Sequence, residues 1–296
     1  MKSKNSAPLP EGAVIGEYRI LNALSSGGFS IVYLAFSEQS GECVAIKEYL
    51  PSDRALRRPG DLVPYIGAEH IATYKHGLTA FFEEARILAT IDHPNIVQVL
   101  ELIRANETIY MVMQYIEGIS LQGHILRERV EGRIAVLSED FIIDLFSRLL
   151  DGLQEVHDRK LLHLDLKPAN VFLQLDGVPK LIDFGTARRT VGRDSGSVIP
   201  MFTPGFAAPE TSERTGVVGP WSDVYGIGAC MFACLCGKAP QEAPLRNRED
   251  RIPIVLEILE RAYSPHVLAV TKACLELDPA ARPQTALQLR QRLLAR

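Results

Sequence analysis

The chain has 296 residues, 47% apolar and 23% charged, with a formal net charge of −4; the length suits one fold of two lobes, and the composition is that of an ordinary globular protein. The charge gives no reason to expect nucleic acid or an anionic membrane as the main partner. The N-terminal MKSKNSAPLPEGA has no apolar run that would make it a signal peptide, and the uncharged stretch over 224–237, at 14 residues, is too short to span a bilayer.

In chain order, residues 1–16 read as a flexible leader. EYRILNAL (17–24), SIVYLAF (30–36) and ECVAIKEYL (42–50) are short, apolar and partly alternating, which predicts three strands with tight connections. Residues 51–77, punctuated by Pro51, Pro59, Gly60, Pro64, Gly67 and Gly77, read as a long insertion. Spacing at Phe82, Ala85, Leu88 and Ile91 predicts a helix over 79–91, and IVQVLELIR and TIYMVMQYI predict two further strands. Ser138 stands as the N-cap of a helix striped by Ile142, Leu145, Leu149, Leu153 and Val156. VFLQL and PKLID (171–183) predict a small hairpin, and 224–237 a buried helix. Cysteines 43, 230, 234, 236 and 274 lack the spacing of a zinc site, so small thiols in a reducing cytoplasm are expected. A β-rich N-terminal third followed by a helix-rich remainder, with reactive residues at the seam, suggests an α+β protein with a cleft between two lobes.

The chemistry is carried by four stretches. LSSGGFSIVY (24–33) lies between two strands, where small residues let a backbone approach phosphate oxygens; a Gly-Gly there is also an ordinary hairpin turn. VAIK puts Lys47 at the end of an apolar strand, either solvated or aimed at phosphates. In the latter case it needs a carboxylate, which Glu83 or Glu84 of the next helix could supply. HLDLKPAN (163–170) is either a surface turn or a catalytic loop in which Asp165 accepts a proton. Asp183 of the following DFG, with Asn170, offers hard oxygen ligands for Mg²⁺, the shell being completed by phosphate.

VAIK, HxDxKxxN and DFG in this order resemble the signature of a eukaryotic-like (Hanks-type) serine/threonine protein kinase of bacterial style. The resemblance extends over about residues 17–295 through TPGFAAPE (203–210), SDVYGIG (222–228) and ARPQT (281–285). It implies a bilobal fold with an N-lobe over 17–113, a hinge over 114–118 and a C-lobe over 119–296. ATP would lie under Leu24, Ser25, Ser26, Gly27, Gly28, Phe29, Ser30, Ile31 and Val32, and against Ala45, Lys47, the gatekeeper Met113 and hinge residues Gln114, Tyr115 and Ile116. Glu84 falls where the family's Lys-pairing Glu stands. Asp165, Lys167, Asn170 and Thr203 would serve catalysis, and Asn170 and Asp183 would hold Mg²⁺, with Mn²⁺ as a substitute. Glu210 should pair with Arg282, and Asp223 should brace the catalytic loop.

Two departures stand out. Ser25 and Ser30 replace the outer glycines of G-x-G-x-x-G, and Leu164 replaces the Arg of H-R-D. In the family that Arg contacts a phosphorylated activation loop and takes no part in the chemistry, so the catalytic set is intact. The resemblance therefore implies γ-phosphate transfer to Ser/Thr hydroxyls of protein substrates by a cytoplasmic enzyme, with a regulatory partner possible at the 51–77 insertion. The alternatives are a pseudokinase acting as a binding module and a small-molecule phosphotransferase; the latter would lack TPGFAAPE and Lys167.

Overall fold

The computed structural model describes residues 6–131, 133–184, 188–189, 203–212 and 216–295. They divide into two compact units, residues 6–92 with 97–116, and 93–96 with the described residues from 117 on.

The first unit is built on a six-stranded antiparallel sheet of order β1-β2-β3-β4-β8-β7. Its strands are β1 (Val14–Ile15), β2 (Tyr18–Ser26), β3 (Ser30–Ser37), β4 (Cys43–Tyr49), β7 (Val99–Ala105) and β8 (Thr108–Gln114). In β3 alternate residues Ile31, Tyr33, Ala35 and Ser37 are buried, as a pleated strand with one covered face requires. Two register shifts interrupt the β2–β3 pairing, and such bulges sharpen the twist of a hairpin.

Three expectations are corrected in this unit. From Ser6 onward the leader is not a flexible tail: Ser6 and Leu9 are buried, the Ala7 N–H donates to the Arg57 carbonyl, and β1 joins the sheet. The insertion carries its own hairpin, β5 (Ala55–Leu56) with β6 (Tyr65–Ile66), and its last third is helical. The helix, α1, spans Ile71–Leu88 rather than 79–91, and buries Tyr74, Phe81, Ala85 and Leu88, leaving Phe82 exposed. The extra turns exist because Tyr49 docks there, its ring 5.3 Å from that of Tyr74 and 5.6 Å from that of Phe81. Gly77 makes this possible, since a Cβ at that position would collide with the Tyr49 hydroxyl. A glycine that looks like a helix breaker in sequence is a seat for a phenol.

The second unit begins with β9 (Gly118–Ser120) and α2 (Leu121–Glu128), followed by α3 (Glu139–Asp158). The Ser138 side chain accepts from the Phe141 N–H, and the predicted stripe from Ile142 to Val156 is buried. Then come β10 (Leu161–Leu162), β11 (Val171–Gln174), β12 (Pro179–Leu181) and β13 (Arg188–Arg189). β11 pairs with both β12 and β9, and β10 with β13. The remaining helices are α4 (Pro209–Ser212), α5 (Pro220–Cys236), α6 (Ala243–Arg246), α7 (Ile252–Leu259), α8 (Pro265–Cys274) and α9 (Ala286–Leu294). α5 is buried without interruption from Ser222 to Leu235; a helix apolar on all sides is a core helix. A Cβ on Gly228 would collide with Cys274 of α8, so this glycine sets how closely the two helices approach. Among the described residues no helix is long and apolar enough to cross a membrane.

Candidate active site

In the first unit, strand register puts several predicted nucleotide contacts on one face. Val32 pairs with Lys47, Lys47 with Met111, and Ala45 with Met113. Cross-strand partners share a face, as do residues two apart in one strand. Val32, Ala45, Lys47 and Met113 therefore line one side of β3–β4–β8, joined by Met111, which sequence reasoning had not singled out. Lys47 is buried at the centre of this face. Leu24, Ser25, Ser26, Ile31 and Val32 lie in the β2–β3 hairpin, with Gly27, Gly28 and Phe29 as the connection up to Ser30; the Gly27 N–H donates to the Ser30 carbonyl at 2.9 Å. After β8, Gln114 donates its N–H to the Gln98 carbonyl, Tyr115 is half-buried and Ile116 is buried. On α1, Glu83 bonds Arg86 one turn on at 2.9 Å, which leaves Glu84 as the candidate partner of Lys47.

In the second unit HLDLKPAN is a tightly held loop. The Asp223 carboxylate of α5 accepts from the His163 N–H at 2.9 Å and the Leu164 N–H at 2.7 Å, as expected of a brace. Leu164 sits at φ +60°, a left-handed conformation that costs an L-residue about 1–2 kcal/mol and here lets both amides face one carboxylate. Asp223 also receives His157 Nε2 at 2.8 Å, a partner the sequence reading missed; His157 lies at the C-terminal end of the α3 stripe and reads as core. Burial alone would raise the Asp223 pKa, but the bond and charge of His157 and the loop amides hold it below the usual carboxylate value.

Around Asp165 the structure brings four predicted residues together. Lys167 Nζ donates to Asp165 Oδ2 at 2.6 Å and to Thr203 Oγ1 at 3.1 Å, and the Thr203 hydroxyl donates to Asp165 Oδ1 at 3.2 Å. Asn170 Nδ2 donates to the Asp165 carbonyl and to Oδ2. One carboxylate is thus oriented by an ammonium, a hydroxyl and an amide. Because its nitrogen is used twice, Asn170 keeps its Oδ1, a hard oxygen, for another ligand. The backbone beside Asp183 is tied to this loop, since the Ile182 N–H donates to the Asn170 carbonyl at 2.9 Å. Phe184 packs on the His163 ring, centroids 4.6 Å apart. Gly185 and the hydroxyl-bearing Thr186, Thr190, Ser195 and Ser197, which the resemblance makes candidate phosphoacceptors of the activation segment, lie outside the described residues.

Behind the loop, Arg282 grips Glu210 through two bonds of 2.8 and 3.0 Å, with side-chain exposures of 0% and 6%. The guanidinium also donates to the carbonyls of Trp221, Glu276 and Leu277 and lies 4.9 Å from the centre of the Tyr225 ring.

Comparison with known proteins agrees with this geometry. The protein kinase domain family matches residues 18–294. The serine/threonine-protein kinase pkn2 of Myxococcus xanthus is 29% identical over 97% of this chain and 33% of its own length. The CBL-interacting protein kinase 12 of Oryza sativa is 32% identical over 77% of this chain and 38% of its own length. The chain spans 18–45% of the length of such relatives. Among solved structures, the apo form of PpkA-294 superposes with a TM-score of 0.81 at 34% identity, covering 97% of this chain and all of that one. The PknI kinase domain of Mycobacterium tuberculosis shares the fold at 20% identity, with a TM-score of 0.70. With a family match over nearly its whole length and the loop geometry to go with it, the chain belongs to the protein kinase domain family, with serine/threonine kinases among its relatives.

Proposed function

We propose that the chain is a catalytically active kinase that transfers the γ-phosphate of Mg-ATP to serine and threonine hydroxyls of protein substrates in the cytoplasm. One observation carries this: Asp165 is held by Lys167, Asn170 and Thr203 in an arrangement suited to receive a hydroxyl proton. Asp165 accepts the proton of the incoming hydroxyl as the phosphoryl group departs. Lys167 and Thr203 orient its two oxygens, and the Lys167 ammonium adds positive charge where the transferred phosphate would pass.

ATP fits the face formed by Val32, Ala45, Lys47 and Met113, with its phosphates beneath residues 24–32, Lys47 and Glu84 forming the ion pair, and Gln114–Gly118 acting as the hinge. Mg²⁺ fits the donor set. Asn170 Oδ1 and the Asp183 carboxylate are hard oxygens on adjoining backbone, and two protein ligands with phosphate completing the shell is the usual Mg²⁺ arrangement. The ion supplies charge neutralisation between the phosphates; Mn²⁺ is a substitute. Residues 17–113 and 119–296 then act as N-lobe and C-lobe, and the insertion over 51–77 offers a place for a regulatory partner.

The test is transfer from Mg-ATP to a generic protein substrate, with the phosphorylated residues mapped. Phosphoserine and phosphothreonine are expected. A protein that binds nucleotide but transfers nothing would be a binding module; transfer to a small molecule alone would also overturn the proposal.

A further inference from the structure

The segment that follows the Lys47 strand reaches back to the tip of the 24–32 loop. Ser52, the second residue of the insertion, donates to the Gly28 carbonyl twice, from its N–H at 2.8 Å and from its Oγ at 3.2 Å. The Leu50 N–H donates to the next carbonyl, that of Phe29, at 2.9 Å. Two successive carbonyls of the loop tip are therefore taken by Leu50 and Ser52, where the chain passes from the Lys47 strand into the insertion. The amides of Gly28 and Phe29 make no hydrogen bond among the described residues.

A peptide unit is planar and trans, so its C=O and N–H point in opposite directions. Holding the Gly28 carbonyl toward Ser52 fixes the Phe29 N–H on the other side of that plane. Ser52 is itself held. The Pro51 carbonyl accepts from the Arg54 and Ala55 amides in a tight turn. Five residues beyond Ser52, Arg57 grips Glu48 through bonds of 2.6 and 2.8 Å, both side chains fully buried. Arg57 also donates to the Tyr33 hydroxyl and the Ala7 carbonyl. Glu48 and Tyr33 lie one residue out of phase with Lys47 and Val32, so the anchor uses the face of the sheet opposite to the nucleotide face.

We propose that Ser52 is a positioning residue for the phosphate-covering loop, setting the direction of the Phe29 N–H before nucleotide arrives. This rests on residues 24–32 being that loop. It also accounts for the serines at positions 25 and 30, since a tip set by a tether has less need of glycine's freedom on either side.

The test uses the whole chain and the series Ser52→Ala, Ser52→Thr and Ser52→Pro. Alanine removes the hydroxyl bond, threonine keeps both donors, and proline removes both. Without nucleotide, hydrogen exchange at Gly27 and Leu50, the hydrogen-bonded amides at the loop tip, should quicken in the alanine variant, quicken further in the proline variant, and stay at the wild-type rate in threonine. With Mg-ATP, the alanine variant should raise KM for ATP about three- to tenfold, the scale of one part-exposed hydrogen bond. Its kcat should hold within about twofold, because the contact serves ground and transition states alike, and threonine should restore KM. Unchanged exchange in both the alanine and proline variants would overturn the tether. Faster exchange with an unchanged KM would overturn its role in binding. A wild-type protein that binds no Mg-ATP, yet shows the exchange pattern, would instead overturn the assignment of the loop and Ser52's role with it.

Discussion

Among the described residues, each unit contains a buried arginine–carboxylate pair, Arg57–Glu48 in the first and Arg282–Glu210 in the second, and the two differ in what they tie down. Arg282–Glu210 joins the end of TPGFAAPE to the turn before α9 and spends its remaining donors on three backbone carbonyls, one in the first turn of α5 and two in the loop after α8. Arg57–Glu48 joins the insertion to the Lys47 strand and spends its remaining donors on the leader and Tyr33. Both stand where irregular backbone must be buried without a ladder to satisfy its carbonyls. A guanidinium, with five donors in a fixed fork, does this from one position. The difference is that Arg282–Glu210 holds a segment beside the Asp165 loop, whereas Arg57–Glu48 holds the frame behind the face proposed for nucleotide.

The largest expected effect separates chemistry from frame. Asp165→Asn should lower kcat by about 10²–10⁴-fold while leaving nucleotide affinity and melting temperature near wild type; an Asn variant with full turnover would remove Asp165 from the mechanism. Next come the pairs themselves. Arg57→Met and Arg282→Met each strand a buried carboxylate and should cost about 3–5 kcal/mol in denaturant unfolding. The double variant Arg57→Met/Glu48→Leu should recover much of that loss. If Arg57→Met were silent, the leader and insertion would be ornaments on the first unit, and the likeness between the two pairs would fail.

A smaller effect follows from Asp223. Its folded pKa lies below the ordinary carboxylate value, so the stability it contributes is fully present above that value. It is lost as pH falls through the lowered one. Asp223→Asn should cost about 1–3 kcal/mol at neutral pH, and the gap from wild type should close as the solution is acidified below the usual carboxylate range. A gap constant with pH would mean the carboxylate charge contributes nothing. The smallest effect concerns switching. With Leu164 in place of Arg, a phosphate on the 186–197 segment lacks its usual cationic anchor. Phosphatase treatment or a Thr190→Ala/Ser195→Ala/Ser197→Ala variant should change activity by less than about tenfold, near 1.4 kcal/mol. A greater loss would show that another cation reads the phosphate.

Much of the second unit was legible in the sequence because its cues are local or fixed by motif. The α3 stripe, the Ser138 cap, the Asp223 brace and the Glu210–Arg282 pair all lie at positions that the pattern names. The first unit was less so. Arg57 is one arginine among several in a Pro- and Gly-rich stretch; its partners Ala7 and Tyr33 are far from it along the chain, and Glu48 lies nine residues back across a turn. Nothing in the local sequence distinguishes a buried guanidinium from a solvated one. The leader was misjudged for the same reason: Ser6 and Leu9 are ordered by residues some fifty and twenty-four positions away. In α1 the periodicity was shifted by one residue, from Phe81 to Phe82, because two adjacent phenylalanines fit a helical stripe about equally well until Tyr49 chooses between them.

The apolar thiols of the second unit give the molecule a built-in clock. Cys230 and Cys234 on α5 and Cys274 on α8 are fully enclosed, and burial pushes all three thiols above the usual range, whereas Cys43 at the start of β4 is exposed. A thiol reagent should therefore react at once with Cys43, more slowly with the partly covered Cys236, and with the other three only when the helix core opens. Their common labelling rate would read out the frequency of that opening, with no added probe.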